Sequence, residues 1–195
     1  MIYRLIRYCL IVYIKVVLFA KVEGIENIPR KGGVLLCANH KSNFDPILIA
    51  SFIPWKIRYM AKEELFKVPF YAAFMRFVGA FPVRRGRVDA TAVKKAIDLL
   101  KDGSTMLIFP QGTRKKDIKP EDFKRGTPMI ATRSGATIVP IGISGKYTVF
   151  GRPRVIFGKP IEIAQYIPED DGSDKEYLDT ISAMLYEKIR ELIQP

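Results

Sequence analysis

Histidine and tryptophan each occur once in these 195 residues, and cysteine twice. One histidine without clustered acidic partners is a poor ligand set, so no resident metal is expected. Cys9 and Cys37 sit in apolar runs without metal-ligand spacing, which argues against a disulfide framework and for a reducing compartment. Long hydrophobic runs are missing as well. Arg4, Arg7 and Lys15 break the apolar N-terminus, and its uncharged stretch from Tyr8 to Ile14 falls far below the ~20 residues of a membrane-spanning helix. No small-residue cleavage site follows, so a secretory signal is not read there. Negative charge is scarce: 20 Asp+Glu face 32 Lys+Arg, for a formal net charge of +12. That excess calls for an anionic partner, whether nucleic acid, membrane, acidic carrier protein or phosphorylated substrate. Internal repeats and low-complexity tracts are absent, and the length suits one domain.

What is present begins with residues 1–20. At ~100° per residue, Arg4, Arg7, Lys15 and Lys21 fall in one arc, which Ile11, Ile14 and Leu18 share. The pattern predicts an amphipathic helix lying in a membrane interface, with Tyr3, Tyr8 and Tyr13 near headgroup level. The alternatives are a core helix or a docking helix for a partner subunit. The remaining residues, 21–195, read as the working domain.

There, Val34–Ala38, Thr105–Phe109 and Thr137–Ile143 are apolar throughout, as expected of strands buried on both faces. Ile57–Met60, Phe81–Val83 and Arg154–Phe157 are further strand candidates. Val93, Ala96, Ile97 and Leu100 keep helical spacing and Gly103 stops it; Leu178, Ile181, Leu185, Ile189 and Leu192 mark a C-terminal helix. Alternating strands and helices define an α/β class, a single-domain sandwich around a largely parallel mixed sheet. Pro140 inside a strand predicts a bulge or an edge, and polar 115–125 reads as a surface loop.

His40 leaves the strand Val34–Ala38, and Asp45 follows five positions later, with Pro46 fitting the first turn of a helix. A loop of that length can fold the carboxylate back onto an exposed imidazole, fixing its tautomer so that the other nitrogen takes a proton. The same two residues also fit a structural histidine and a helix-capping aspartate. Phe109-Pro-Gln-Gly-Thr-Arg114 follows the strand from Thr105, where open α/β sheets bind ligands. Gly112 allows close backbone approach, and Thr113 and Arg114 offer donors to an anion. Gly79-Ala-Phe-Pro-Val-Arg-Arg85 places two more arginines after another short strand.

Taken in order, these runs resemble the four blocks of the glycerolipid acyltransferases, in particular the bacterial lysophosphatidic acid acyltransferases. His40 and Asp45 match the first block and Gly79 to Arg85 the second. Phe109 to Arg114 match the third, except that Gln111 stands where the family usually has glutamate; Val139-Pro140 match the fourth. Lys62 resembles a basic position between the first two blocks. The resemblance spans about residues 22–159.

The resemblance implies acyl transfer from a thioester to the 2-hydroxyl of 1-acylglycerol 3-phosphate, making phosphatidic acid for phospholipid synthesis. It implies His40 as general base and Asp45 as its orienting carboxylate, with no cofactor. Arg85 and Lys62 would hold the acceptor phosphate, and Gln111, Gly112, Thr113 and Arg114 would position the glycerol or the oxyanion. Implied partners are an acyl-carrier protein or acyl-coenzyme A donor, lysophosphatidic acid, and the anionic lipids of a membrane surface. The implied location is the cytoplasmic face of the cell membrane, monotopic or peripheral. Nucleic acid is not expected, since no binding motif accompanies the charge. Other readings are acylation of glycerol 3-phosphate or another lysophospholipid, thioester hydrolysis, and non-catalytic lipid binding or tethering on the same fold. Aromatic residues around 66–81 read mostly as core, with an acyl-chain groove as the second reading.

Overall fold

A computed structural model describes residues 2–84, 89–166 and 174–194. In chain order its main elements are α1 (Ile2–Val16), β1 (Lys21–Glu23), β2 (Val34–Ala38), α2 (Asp45–Phe52), β3 (Ile57–Lys62), α3 (Pro69–Phe77) and β4 (Ala80–Val83). There follow α4 (Ala90–Lys101), β5 (Thr105–Ile108), α5 (Gly126–Ser134), β6 (Thr137–Ser144), β7 (Arg154–Phe157) and α6 (Asp174–Ile193). The strands form one sheet in the order β1-β7-β6-β2-β5-β3-β4. Strands β2 to β6 run parallel to one another, and β7 returns antiparallel to β6, giving the expected mixed sheet.

Side chains alternate across the strands, so each face of the sheet buries its own layer. Val34, Leu36 and Ala38 of β2 face one way, with Leu107, Val139 and Ile141, against α1 and α2. Leu35 and Cys37 face the other, with Met106 and Ile138, against α4, α5 and α6. Helix α3 lies toward the β3–β4 end, where Met75 meets Ala61 and Ala80. Every residue of β2 is buried, as its uninterrupted apolar run requires. Helix starts follow local chemistry: Pro46 opens α2, and the Asp89 carboxylate accepts from the Ala92 N–H to cap α4.

Three expectations change. Pro140 lies in an interior strand, paired with Cys37 of β2, not at an edge. Its missing N–H points to the opposite side, where the register slips by one residue between Ile141↔Phe157 and Ile138↔Ile161. Pro140 therefore interrupts no ladder bond, and the bulge is on the partner segment. The N-terminal helix turns the centre of its mixed arc inward and leaves Lys15 exposed at the rim: Ile14 and Leu18 are buried, and Arg7 donates through Nη2 to the Phe52 carbonyl at 3.4 Å. Its outward face is apolar, with Tyr8, Val12 and Val16 exposed. The 66–81 aromatics are not mostly core, since Phe70, Tyr71 and Phe74 are exposed. The 115–125 segment is a surface loop as expected, anchored by buried Asp122 and Phe123. Among the described residues no helix is long and apolar enough to cross a membrane.

Candidate active site

Because β2 to β6 are parallel, everything that follows these strands gathers at one edge of the sheet. His40 follows β2, Lys62 ends β3, Arg84 follows β4 and Gln111 follows β5. The chain leaves β2 under tight control. Asn39 donates through Nδ2 to the Ile143 carbonyl at 2.9 Å, and its Oδ1 accepts from the Ile143 N–H at 2.7 Å. This reciprocal clasp ties the end of β2 to β6 just beyond the Ala38↔Ile141 pair and fixes where His40 begins.

His40 is buried rather than exposed, at 7% of its surface. Its ring stacks on Phe109 with centroids 4.0 Å apart and planes at 20°. Its N–H donates to Gln111 Oε1 at 2.7 Å, and its carbonyl accepts from the Lys115 N–H at 2.8 Å. The β5 loop thus grips both backbone polar groups of the histidine. Nδ1 lies 2.8 Å from Asp45 Oδ2. The same oxygen accepts from the Lys41 and Ser42 N–H groups, each at 2.7 Å. A carboxylate surrounded by donors takes Nδ1 as a further donor, which leaves Nε2 unprotonated and able to accept a proton.

Asp45 is fully buried, and its other oxygen, Oδ1, accepts from the Tyr147 hydroxyl at 2.5 Å. Burial first, and then the Asp45 charge, push the Tyr147 phenol far above its ordinary value, so it stays a neutral donor throughout the physiological range. Burial lowers the Lys41 ammonium from its usual value against the opposing pull of Asp45; its Nζ sits 5.3 Å above the Tyr147 ring and donates to the Gly145 carbonyl. The loop carrying Tyr147 is itself tied to the end of α1. Phe150 N–H donates to the Val17 carbonyl at 3.1 Å, and Arg152 N–H to the Leu18 carbonyl at 2.9 Å. Nothing in the local sequence marks Tyr147; the signal is topological, since β6 lies beside β2 and its exit loop reaches the same edge.

The remaining expected residues divide. Gln111 is buried, with its Nε2 lacking any hydrogen-bond partner. Gly112 has φ 68°, a left-handed turn that glycine enters without penalty, and its N–H closes on the Phe109 carbonyl at 2.9 Å. Thr113 and Arg114 are exposed just beyond it. Lys62 is half-exposed and pairs with Glu64 at 3.2 Å. Arg84 is turned toward Asp89, whose carboxyl its N–H and that of Ala92 hold below the usual range. Arg85 lies outside the described residues.

An α/β sandwich whose parallel strands deliver a carboxylate-held histidine to their C-terminal edge has the geometry that general-base chemistry on a ligand bound there requires. The histidine has no nucleophilic serine or cysteine in the loop that holds Asp45, apart from Ser42, whose Oγ accepts from the Phe44 N–H at 3.2 Å. Comparison with known proteins makes the class specific. The profile of the family described as Acyltransferase matches residues 19–144. A 1-acyl-sn-glycerol-3-phosphate acyltransferase of Bacillus subtilis (strain 168) is 33% identical over 180 residues, covering 88% of this chain and 87% of that protein. One from Streptococcus pneumoniae is 31% identical over 181 residues, covering 89% of this chain and 66% of its own. The crystal structure of the 1-acyl-sn-glycerophosphate acyltransferase PlsC from Thermotoga maritima matches with a TM-score of 0.65 at 28% identity, over 91% of this chain and 76% of that one. The chain belongs to the acyltransferase family.

Proposed function

We propose that this protein transfers a fatty acyl group from a thioester to the 2-hydroxyl of 1-acylglycerol 3-phosphate, giving phosphatidic acid. The observation that carries the reading is the buried His40–Asp45 pair at 2.8 Å, with Nε2 left as the basic nitrogen. In the reaction, His40 Nε2 takes the hydroxyl proton as the oxygen attacks the thioester carbonyl. A C–O bond forms and the C–S bond breaks; the thiolate leaves and takes the proton from the imidazolium. Asp45 keeps Nδ1–H in place and offsets the charge on the ring. Arg85 and Lys62 hold the acceptor phosphate; Gly112, Thr113 and Arg114 face the glycerol or the developing oxyanion. The donor is an acyl-carrier protein or acyl-coenzyme A, and the +12 net charge suits either acidic partner. The outward apolar face of α1 supports a peripheral seat on the cytoplasmic face of an anionic membrane. The test is one assay with the purified protein, crossing both donors with lysophosphatidic acid, glycerol 3-phosphate and lysophosphatidylcholine. Phosphatidic acid should dominate; equal turnover of glycerol 3-phosphate would sink the acceptor assignment, and fatty acid released without acceptor would make this a hydrolase.

Gln111 supports the reading despite its departure from the family pattern. Its Oε1 does what a glutamate oxygen could do, accepting the His40 N–H. Gln111→Glu should therefore change turnover by no more than about tenfold, ~1.4 kcal/mol. Gln111→Leu should instead leave the His40 N–H buried without a partner and lower stability by ~1–3 kcal/mol in denaturant titrations. A natural protein that is silent and gains robust turnover as Gln111→Glu would show that the amide marks a lost activity.

A further inference from the structure

The exposed apolar surface of this protein is one-sided. Among the described residues, every exposed large hydrophobic side chain lies within 8–19, at 47, within 65–77 or at 149–150. Helices α4, α5 and α6, which cover the opposite face of the sheet, contribute none. Scattered exposed apolar residues are ordinary, whereas a whole layer of them against a bare one marks an interaction surface.

We propose that α3 is a second membrane-seating element, inserting its outward face into the interface of a bilayer that carries anionic lipids. The inference rests on the lipid acceptor proposed above but concerns a different element from α1. Helix α3 buries only Ala72 and Met75, and Met75 packs with Ala61 and Ala80. Its aromatic residues point out: Phe70 is 86% exposed, and Tyr71 and Phe74 are about half-exposed. Val68, just before the helix, is also exposed. Three further observations select a bilayer as the occupant. Neither α1 nor α3 contains an aspartate or glutamate, while Lys67 precedes α3 and Arg76 lies in its last turn. An apolar face fringed by cations complements anionic headgroups. The face also brackets the site. Helix α3 begins shortly after Lys62, at the edge of the sheet that carries His40. On the other flank, the end of α1 meets the 145–153 loop, with the Phe19 and Phe150 rings 5.3 Å apart. In the strand order, two separate apolar surfaces therefore lie on either side of the strand that leads to His40.

Two measurements on the full chain test this. Phe70→Trp places a reporter at an exposed position, to be read above the single native Trp55. With phosphatidylglycerol vesicles its emission should shift to the blue, and brominated lipid should quench it. The double variant Phe70→Glu/Phe74→Glu should bind those vesicles at least tenfold more weakly. It should lose at least tenfold in turnover on vesicle-borne lysophosphatidic acid, yet stay within about twofold of wild type on a short-chain acceptor that is monomeric in water. A reporter signal indifferent to vesicles, or unchanged vesicle binding by the double variant, overturns the proposal. So does equal loss on both acceptors with vesicle binding kept, which would make the face an acyl-chain groove. Lipid-free self-association that buries the introduced indole would make it a dimer contact instead. Should the protein transfer no acyl group at all, the assigned reaction fails while the quenching result still decides the role of α3.

Discussion

His40→Ala should lower turnover by ~10²–10⁴-fold while the protein remains folded. The loss of the ring from Phe109 removes an aromatic stack, so a stability decrease of ~1 kcal/mol is expected alongside. Asp45→Asn should cut turnover by roughly 10³–10⁴-fold through loss of tautomer control and of the balancing charge. The fold should tolerate it. An asparagine oxygen can keep the three N–H donors that now meet Oδ2, while its amide turns to the Tyr147 hydroxyl, which can accept as well as donate. Tyr147→Phe, which removes one donor from Asp45 and leaves the pair itself intact, should cost tenfold or less. Turnover at saturating substrates, with melting curves on each variant, gives this ranking directly. Near-normal rates in purified His40→Ala or Asp45→Asn would remove His40 from the role of base.

The second large effect is on stability. Gly79 adopts φ 99°, and a Cβ added there would overlap the Ile57 carbonyl oxygen. That oxygen belongs to the first residue of β3 and has no room to move, because Ile57 is registered against Thr105 of β5. Gly79→Ala therefore meets both a left-handed backbone and a main-chain collision. It should lose more than ~2 kcal/mol in urea titration, with turnover per folded molecule unchanged. An unaltered unfolding midpoint would show that the α3–β4 corner is looser than its geometry. The glycine that opens the second family block is thus explained by chain packing, independently of the arginines that close it.

Much of this architecture was legible in the sequence. Strand β2 emerges with the boundaries Val34–Ala38, because a strand buried on both faces must be apolar throughout. Strand β1 was invisible: it is three residues on a sheet edge, Lys-Val-Glu, with one apolar side chain to signal it. The His40–Asp45 pairing could be foreseen because the four residues between them suffice to close the loop. Its support could not, since Gln111 and Tyr147 reach it from strands that neighbour β2 only in space. The helical wheel of residues 1–20 grouped Arg7 with Ile14 and Leu18 correctly. It could not tell that this group faces the protein, because burial depends on α2, which the wheel does not contain.

The loop between β6 and β7 is a strut with two ends. One end holds the hydroxyl of Tyr147 against Asp45, and the other holds Val17 and Leu18, just past α1, through the Phe150 and Arg152 N–H groups. Shortening the N-terminus therefore does more than remove the proposed lipid-facing surface. It frees one end of the strut and uncovers the packing around Ile14 and Leu18, so a truncated protein should lose activity even toward a water-soluble acceptor. The proposed membrane seat is therefore tested apart from catalytic geometry by outward-facing substitutions, such as Val12→Glu or Val16→Glu, which leave the strut anchored.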